Sequence, residues 1–189
     1  FRMNRKKQKL IEIFFFTLIF FIFVISFQLQ QYVILFLILT GLVVVITYKN
    51  EIKKNFLQKK TNSLLKIIYL DIFIVILLTI LFSENFNSYK MESKNYFFIF
   101  FLLLLYLLFS VIPQEIIFRF LFFHKYECYF NNIQILIINS LAFSLCHLIY
   151  FDMYIFFFSF FGNILFTCNY IKNKSLLLVI IEHFIIGQA

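Results

Sequence analysis

The chain has no tryptophan, one proline and three glycines, and only 14% of its residues are charged. No stretch is long or polar enough to act as a linker, and no internal repeat is visible, so the sequence reads as one polytopic bundle. Three cysteines, Cys128, Cys146 and Cys168, show no CxxC spacing and fall at membrane or cytoplasmic positions. They are expected to be free thiols, not disulfide partners or metal ligands; Cys128 could also carry a lipid. The His-Glu-x-x-His pattern is missing, which excludes a zincin-type helix. Gly-x-Ser-x-Gly is missing too, and with it a serine elbow with a histidine partner. No Gly-x-Gly-Asp aspartate pair occurs, since Asp71 and Asp152 lack that context. There are 17 basic residues against nine acidic ones, yet no solvated basic domain to hold them. Nucleic acid is therefore excluded as a partner, and the basic residues mean topology and contact with anionic lipid.

What the chain has is apolar length. It is 63% hydrophobic with a mean hydropathy of +0.94, far above a soluble domain. Its 32 phenylalanines, together with abundant Ile, Asn, Lys and Tyr, follow AT-rich codon usage, so aromatic clusters are given no weight as binding platforms. The fold class expected is all-α, a transmembrane helix bundle with about seven spans of roughly 20 residues each. They are placed at 10–28, 32–48, 63–82, 96–118, 133–151, 153–170 and 175–189. Basic clusters precede the first span (Arg2, Arg5, Lys6, Lys7, Lys9) and follow the second (Lys49, Lys53, Lys54, Lys59, Lys60). Arg119 and Lys125 lie at the end of the fourth span, Lys172 and Lys174 after the sixth. On the other side Lys90 and Lys94 are offset by Glu84 and Glu92, and Lys66 can snorkel back. The positive-inside rule then puts the N-terminus in the cytoplasm; the expected setting is a multi-pass protein of a bacterial cell membrane. The first span starts like a signal peptide, but Gln28-Leu29-Gln30-Gln31 follows it instead of a small-residue cleavage site, so it is read as a retained anchor. A start at Phe1 and a last span of 15 residues lead us to expect a truncated chain, with room for another helix beyond residue 189.

Four titratable side chains sit inside these apolar runs: Glu115, Arg119, His147 and His183. At membrane depth such a group costs several kcal/mol unless it is paired, hydrated or turned to a protein interior, which makes these residues the default functional site. At 1.5 Å per residue, His147 lies about 21 Å from Ile133, His183 about 12 Å from Ser175 and Glu115 about 16 Å from Tyr126. In a hydrocarbon core of about 30 Å, all three reach nearly the same level.

Local spacing adds detail. Glu115 and Arg119 are four apart on one helical face, where they form either a catalytic pair or a self-neutralising structural one. A carboxylate beside Arg⁺ stays ionised. Pro113 is expected to break or kink the helix and free carbonyls to line a wet cavity. Phe143 and His147 share a face, beside a polar stripe of Ser140, Ser144 and His147. Ser159, Asn163, Thr167 and Tyr170 run along the sixth span, and such stripes usually glue helices together. Asp71 in the third span is a further partner for Arg119. One Glu with two His can activate water, with Glu115 as base and His147 and His183 orienting water and stabilising an oxyanion. The same three can coordinate a divalent metal such as zinc. Spacing does not choose between these, and the cofactor stays unknown.

The order Glu-x-x-x-Arg, Phe-x-x-x-His and a final His resembles the CPBP intramembrane protease family, also called Abi or CAAX prenyl endopeptidase-like. Its first motif, Glu-Glu-x-x-x-Arg, matches Gln114-Glu115 through Arg119, and its second, Phe-x-x-x-His, matches Phe143 through His147. The third, His-x-x-x-Asn or Asp, is met by His183 with Gly187 at the fourth place. The resemblance covers residues 96–189 as the protease-like core, leaving 1–95 as helices without specific motifs. Two departures follow: the family's first Glu, its water-activating base, is Gln114 here, and its Asn or Asp is Gly187. A branch of the family reads Pro-Gln-Glu…Phe-Arg with Glu-His…Gly, and this chain, with Glu182-His183…Gly187, looks like a member. In that branch Glu182 would supply the second carboxylate, although it is turned about 100° from His183.

Three readings follow. The resemblance implies an intramembrane endopeptidase that hydrolyses peptide bonds of membrane-associated or CAAX-like substrates, with Glu115 as base, His147 and His183 as partners and Arg119 fixing Glu115. Gln114 and Gly187 support a proteolytically inactive relative serving as scaffold, immunity or sensor protein. A transporter would use the same buried groups, but the repeat symmetry that would favour it is missing.

Overall fold

Long apolar runs with few breakers leave the backbone one way to satisfy its own N–H and C=O groups in lipid, the α-helix. The computed structural model of the protein describes residues 2–56, 68–70, 72–73, 75–76 and 96–187, with side chains from residue 5 onward. Among the described residues there is no strand. Helix α1 spans Arg2–Ser26, and a 3₁₀ turn, Gln30–Tyr32, leads into α2, Val33–Thr47. The short polar α3, Lys49–Phe56, follows. Helix α4 is continuous over Tyr96–Tyr126. Then come α5 (Asn132–His147, prolonged by the 3₁₀ turn Leu148–Tyr150), α6 (Met153–Asn173) and α7 (Leu176–Ile186).

Five of these segments are long and apolar enough to cross a membrane: Arg5–Ser26, Gln30–Thr47, Tyr96–Tyr126, Asn132–Tyr150 and Met153–Asn173. The protein is thus an all-helical, polytopic membrane bundle. The expected span 63–82 lies largely outside the described residues, as does Asp71; the parts described, 68–70, 72–73 and 75–76, are helical. The last expected span is an apolar helix of only 11 residues, Leu176–Ile186. The fourth span overshoots its expected end at 118, because the charge that ends the apolar run, Arg119, is enclosed by the bundle and does not meet water.

Polar side chains set the turns. Asn131 and Gln134 form a capping box at the start of α5, each side chain taking the other's backbone N–H at 2.8 and 3.2 Å. Asp152 caps α6 by accepting from Tyr154 N–H at 2.7 Å. Phe151 and Lys174 adopt left-handed conformations (φ 54° and 50°), and these tight reversals fold α5, α6 and α7 back on one another.

Outside, the bundle presents apolar side chains such as Phe16, Phe97 and Phe161 to lipid. Inside, two apolar clusters flank a polar seam. Phe118 and Phe122 of α4 pack with Phe143, Phe166 and Val179, while Ile116 and Phe120 pack with Val44 and Ile180. Glu115 and Arg119 project between these two faces of α4, where neither lipid nor water reaches them. Lipid tails are as apolar as a leucine core, so such buried polar contacts do much to select the packing.

Pro113 does not break α4. The helix passes through it with π-helical turns on either side, Leu107–Val111 and Ile116–Leu121. Wider turns take up the missing N–H and rotate the following residues. Gly41 of α2 lies against this segment: a Cβ there would stand 3.2 Å from Pro113 Cβ, so glycine lets α2 approach the proline.

Candidate active site

Glu115 and Arg119 have no exposed surface, and Glu115 Oε2 lies 3.1 Å from Arg119 Nε. The contact is close but off-line, so neither atom makes a directed hydrogen bond. The other carboxylate oxygen, Oε1, meets His183 Nδ1 at 2.7 Å. A carboxylate only accepts, so against it Nδ1 is the nitrogen that carries a hydrogen, and Nε2 is the ring nitrogen left facing away from Glu115. His183 is stacked against Phe166, ring centroids 4.8 Å apart, and meets Phe143 edge-on.

The Arg119 guanidinium is held from the far side by two helices. Its Nη1 donates to Asn139 Oδ1 of α5 at 2.8 Å and its Nη2 to Asn163 Oδ1 of α6 at 2.7 Å. Asn163 in turn donates to Asn139 Oδ1 (2.9 Å) and Ser140 Oγ (3.2 Å), and Thr167 Oγ1 donates to Asn139 Oδ1 at 3.0 Å. The Asn139 amide nitrogen bonds the Phe118 carbonyl at 2.9 Å. That carbonyl lies in the second π-turn, where the Phe122 N–H goes to Ile117 and Arg119 and passes over Phe118.

His147 ends α5 with Nδ1 2.9 Å from the Phe143 carbonyl, which again leaves Nε2 as the free nitrogen. Its ring lies 4.5 Å from that of Phe143. Phe143 therefore stands between the two histidines. Among the described residues, neither Nε2 has a hydrogen-bond partner.

A cavity of about 510 Å³ opens between α1, α2, α4 and α5, walled by apolar side chains including Phe16, Leu37 and Phe118. Gln114 and His147 line it, whereas Glu115 and His183 do not. Gln114 Nε2 donates to Ser110 Oγ at 3.0 Å, while its Oε1 is buried with no partner among the described residues. Glu182 is buried behind His183 and accepts from Asn169 Nδ2 at 2.8 Å, and Asn169 is itself bonded by Asn173. It faces α6 and not the cavity.

The structure thus joins Glu115, Arg119 and His183 in direct contact and sets His147 beside them across Phe143. Among the described residues no three His, Cys, Asp or Glu side chains come together as a metal-holding group. Glu115, His147 and His183 are therefore not assembled as a ligand set. Sequence reasoning missed Asn139, Asn169 and Asn173. The signal for Asn139 was its position four residues before Phe143 and eight before His147, on the same face of α5. Of the two stripes, Asn163 and Thr167 meet α5, while Ser144 and Ser159 bond their own helices. The three cysteines are free.

Gly187 also has a local reason. A Cβ there would fall 2.2 Å from the Tyr106 hydroxyl and 3.1 Å from His183 Cδ2. Tyr106 bonds the Gly187 carbonyl at 3.2 Å, so the close approach of α4 to the end of α7 takes the place of a side chain.

Helices of bilayer length, together with the shorter apolar α7, enclose an ion pair and a carboxylate–histidine contact. Residues 96–187, which carry every side chain of both, match the family model described as Type II CAAX prenyl endopeptidase Rce1-like. This part of the chain is similar to that family, in keeping with the resemblance to CAAX-type proteases that the three motifs carry. No curated protein and no solved structure matches the chain.

Proposed function

We propose that the protein is an intramembrane endopeptidase that hydrolyses peptide bonds of membrane-associated peptides or proteins. The observation that carries this reading is the 2.7 Å contact between Glu115 Oε1 and His183 Nδ1, which fixes one tautomer of His183 and leaves Nε2 as a base for water. Glu115 then acts as an orienting carboxylate, not as the base itself, in the manner of the acid member of a catalytic triad. Arg119 holds Glu115 in place. His147, its Nε2 likewise free and its ring on the cavity wall, serves as the second acid–base group at the scissile carbonyl. The apolar cavity, which Gln114 and His147 line and His183 does not, receives the substrate from the lipid side, so the water on His183 Nε2 reaches the scissile bond past Phe143, which stands between the two histidines. The basic N-terminal segment lies on the cytoplasmic side of a bacterial membrane, and the protease-like core is assigned to 96–189, residues 1–95 carrying no specific motif.

A second reading has its own support. The side chain facing the cavity at the family's base position is Gln114, which cannot take a proton, while Glu115 is walled off. A proteolytically silent relative, acting as a scaffold, immunity or sensor protein, would look like this. Purified protein, assayed in detergent on a library of hydrophobic peptides beside His183→Gln and His147→Gln, separates the two. Cleavage abolished by both changes establishes the peptidase. Folded wild-type protein that cleaves nothing favours the silent relative.

A further inference from the structure

We propose that Asn139 is a positioning residue of the site: acting through Arg119 and Glu115, it fixes the tautomer and orientation of His183. The inference rests on His183 as the reactive base, and it names the residue that makes the arrangement rigid. Asn139 Oδ1 is the meeting point of three donors, Arg119 Nη1, Asn163 Nδ2 and Thr167 Oγ1, at 2.8 to 3.0 Å. Its Nδ2 holds the Phe118 carbonyl, which fixes the amide orientation, because guanidinium cannot accept and a carbonyl cannot donate. One side chain therefore ties the π-turn of α4 to the guanidinium that the same turn carries.

Physical necessity points the same way. The contact between Glu115 Oε2 and Arg119 Nε is off-line, so that pair alone does not set the guanidinium plane. The plane is set by the two forked bonds to Asn139 and Asn163. With the guanidinium turned, Oε2 of Glu115 loses its cation, and the carboxylate rotates away from the line to His183. Deep in a bundle there is no water to repair such a loss. Asparagine suits the position because it offers an acceptor to Arg119 and a donor to the backbone without adding a second anion. The chain of effect crosses three helices, from α5 to α4 to α7.

The test reads His183 directly. The protein has three histidines, His124, His147 and His183, so ¹⁵N-histidine NMR of the purified protein in nanodiscs gives a small spectrum assignable by His→Gln variants. His183 is expected as the Nδ1–H tautomer with a strongly deshielded proton. In Asn139→Leu that proton moves upfield and the ring becomes a mixture of tautomers, while His147, bonded to the Phe143 carbonyl, keeps its signal. Thr167→Val leaves every Arg119 contact in place, and its His183 signal is expected to match wild type. Should Asn139→Leu fail to fold, the isosteric Asn139→Asp, which sets a second carboxylate against the guanidinium, is expected to shift His183 in the same way. A folded Asn139 variant with wild-type His183 resonances overturns the proposal. In an active enzyme Asn139→Leu would also lower kcat by about 10- to 100-fold with KM unchanged. If wild-type protein cleaves nothing, the catalytic reading fails while the resonances still decide whether Asn139 orders His183.

Discussion

Deleting one member of the Glu115–Arg119 pair strands the other inside the bundle. In Arg119→Met, Glu115 Oε2 loses its cation in a site with no exposed surface, and Asn163 Oδ1 loses its donor. Breaking a buried pair from one side costs about 3–5 kcal/mol. An acceptor left empty costs about 1–3 kcal/mol more. Asn139 Oδ1 keeps two donors, so its share is small. The sum, roughly 4–8 kcal/mol, corresponds to a melting temperature lower by roughly 8–32 °C for a chain of this size. Glu115→Gln keeps the shape but leaves the guanidinium uncompensated, and a loss of similar size is expected. The double variant Glu115→Gln/Arg119→Met removes both charges, so its loss should fall short of the sum of the single losses by about 2–3 kcal/mol. Thermal unfolding in one detergent, followed by circular dichroism, measures all four proteins. Single variants within about 1 kcal/mol of wild type, or strict additivity in the double, would refute an enclosed and coupled pair.

Other outcomes follow from the same geometry. His183→Gln and His147→Gln are each expected to lower peptide cleavage by about 10²–10⁴-fold with little change in melting, as measured by product formation on a hydrophobic peptide. Gln114→Glu adds a carboxylate to the cavity wall and is expected to raise the cleavage rate; an unchanged rate would mean that the Glu115–His183 dyad already supplies the base. Gly187→Ala drives a methyl into the Tyr106 hydroxyl and is expected to cost about 1–3 kcal/mol, read as lowered melting, with relief in Gly187→Ala/Tyr106→Phe.

Hydropathy located four of the five membrane-length helices of the described residues to within about five positions at either end, because lipid demands uninterrupted apolar length and the chain has few breakers; the fourth ends at Tyr126 and not at 118. The convergence of Glu115 with His183 was also legible, since depth along a helix follows from counting residues. Which faces meet was not. Asn139 reads like any polar residue of an apolar helix until α4 and α6 are packed against it, and only then does it become the acceptor for Arg119. Pro113 predicted a break or a kink; the helix continues through it on two π-turns, and no residue pattern announces those. Arg119 looked like the cytoplasmic end of a span because its charge stopped the apolar run; its partners lie on two other helices. The pairing envisaged between Asp71 and Arg119 lies outside the described residues. The exclusion of Glu115 from the cavity wall depends on rotation about α4, which the π-turns alter.

The most direct test of the account is cleavage of a membrane-spanning peptide by purified wild-type protein beside His183→Gln, with both proteins shown to melt alike. The account predicts product from wild type and at least about a hundredfold less from the variant. Equal rates in the two, or no product from folded wild type, would contradict His183 as the base of a working protease.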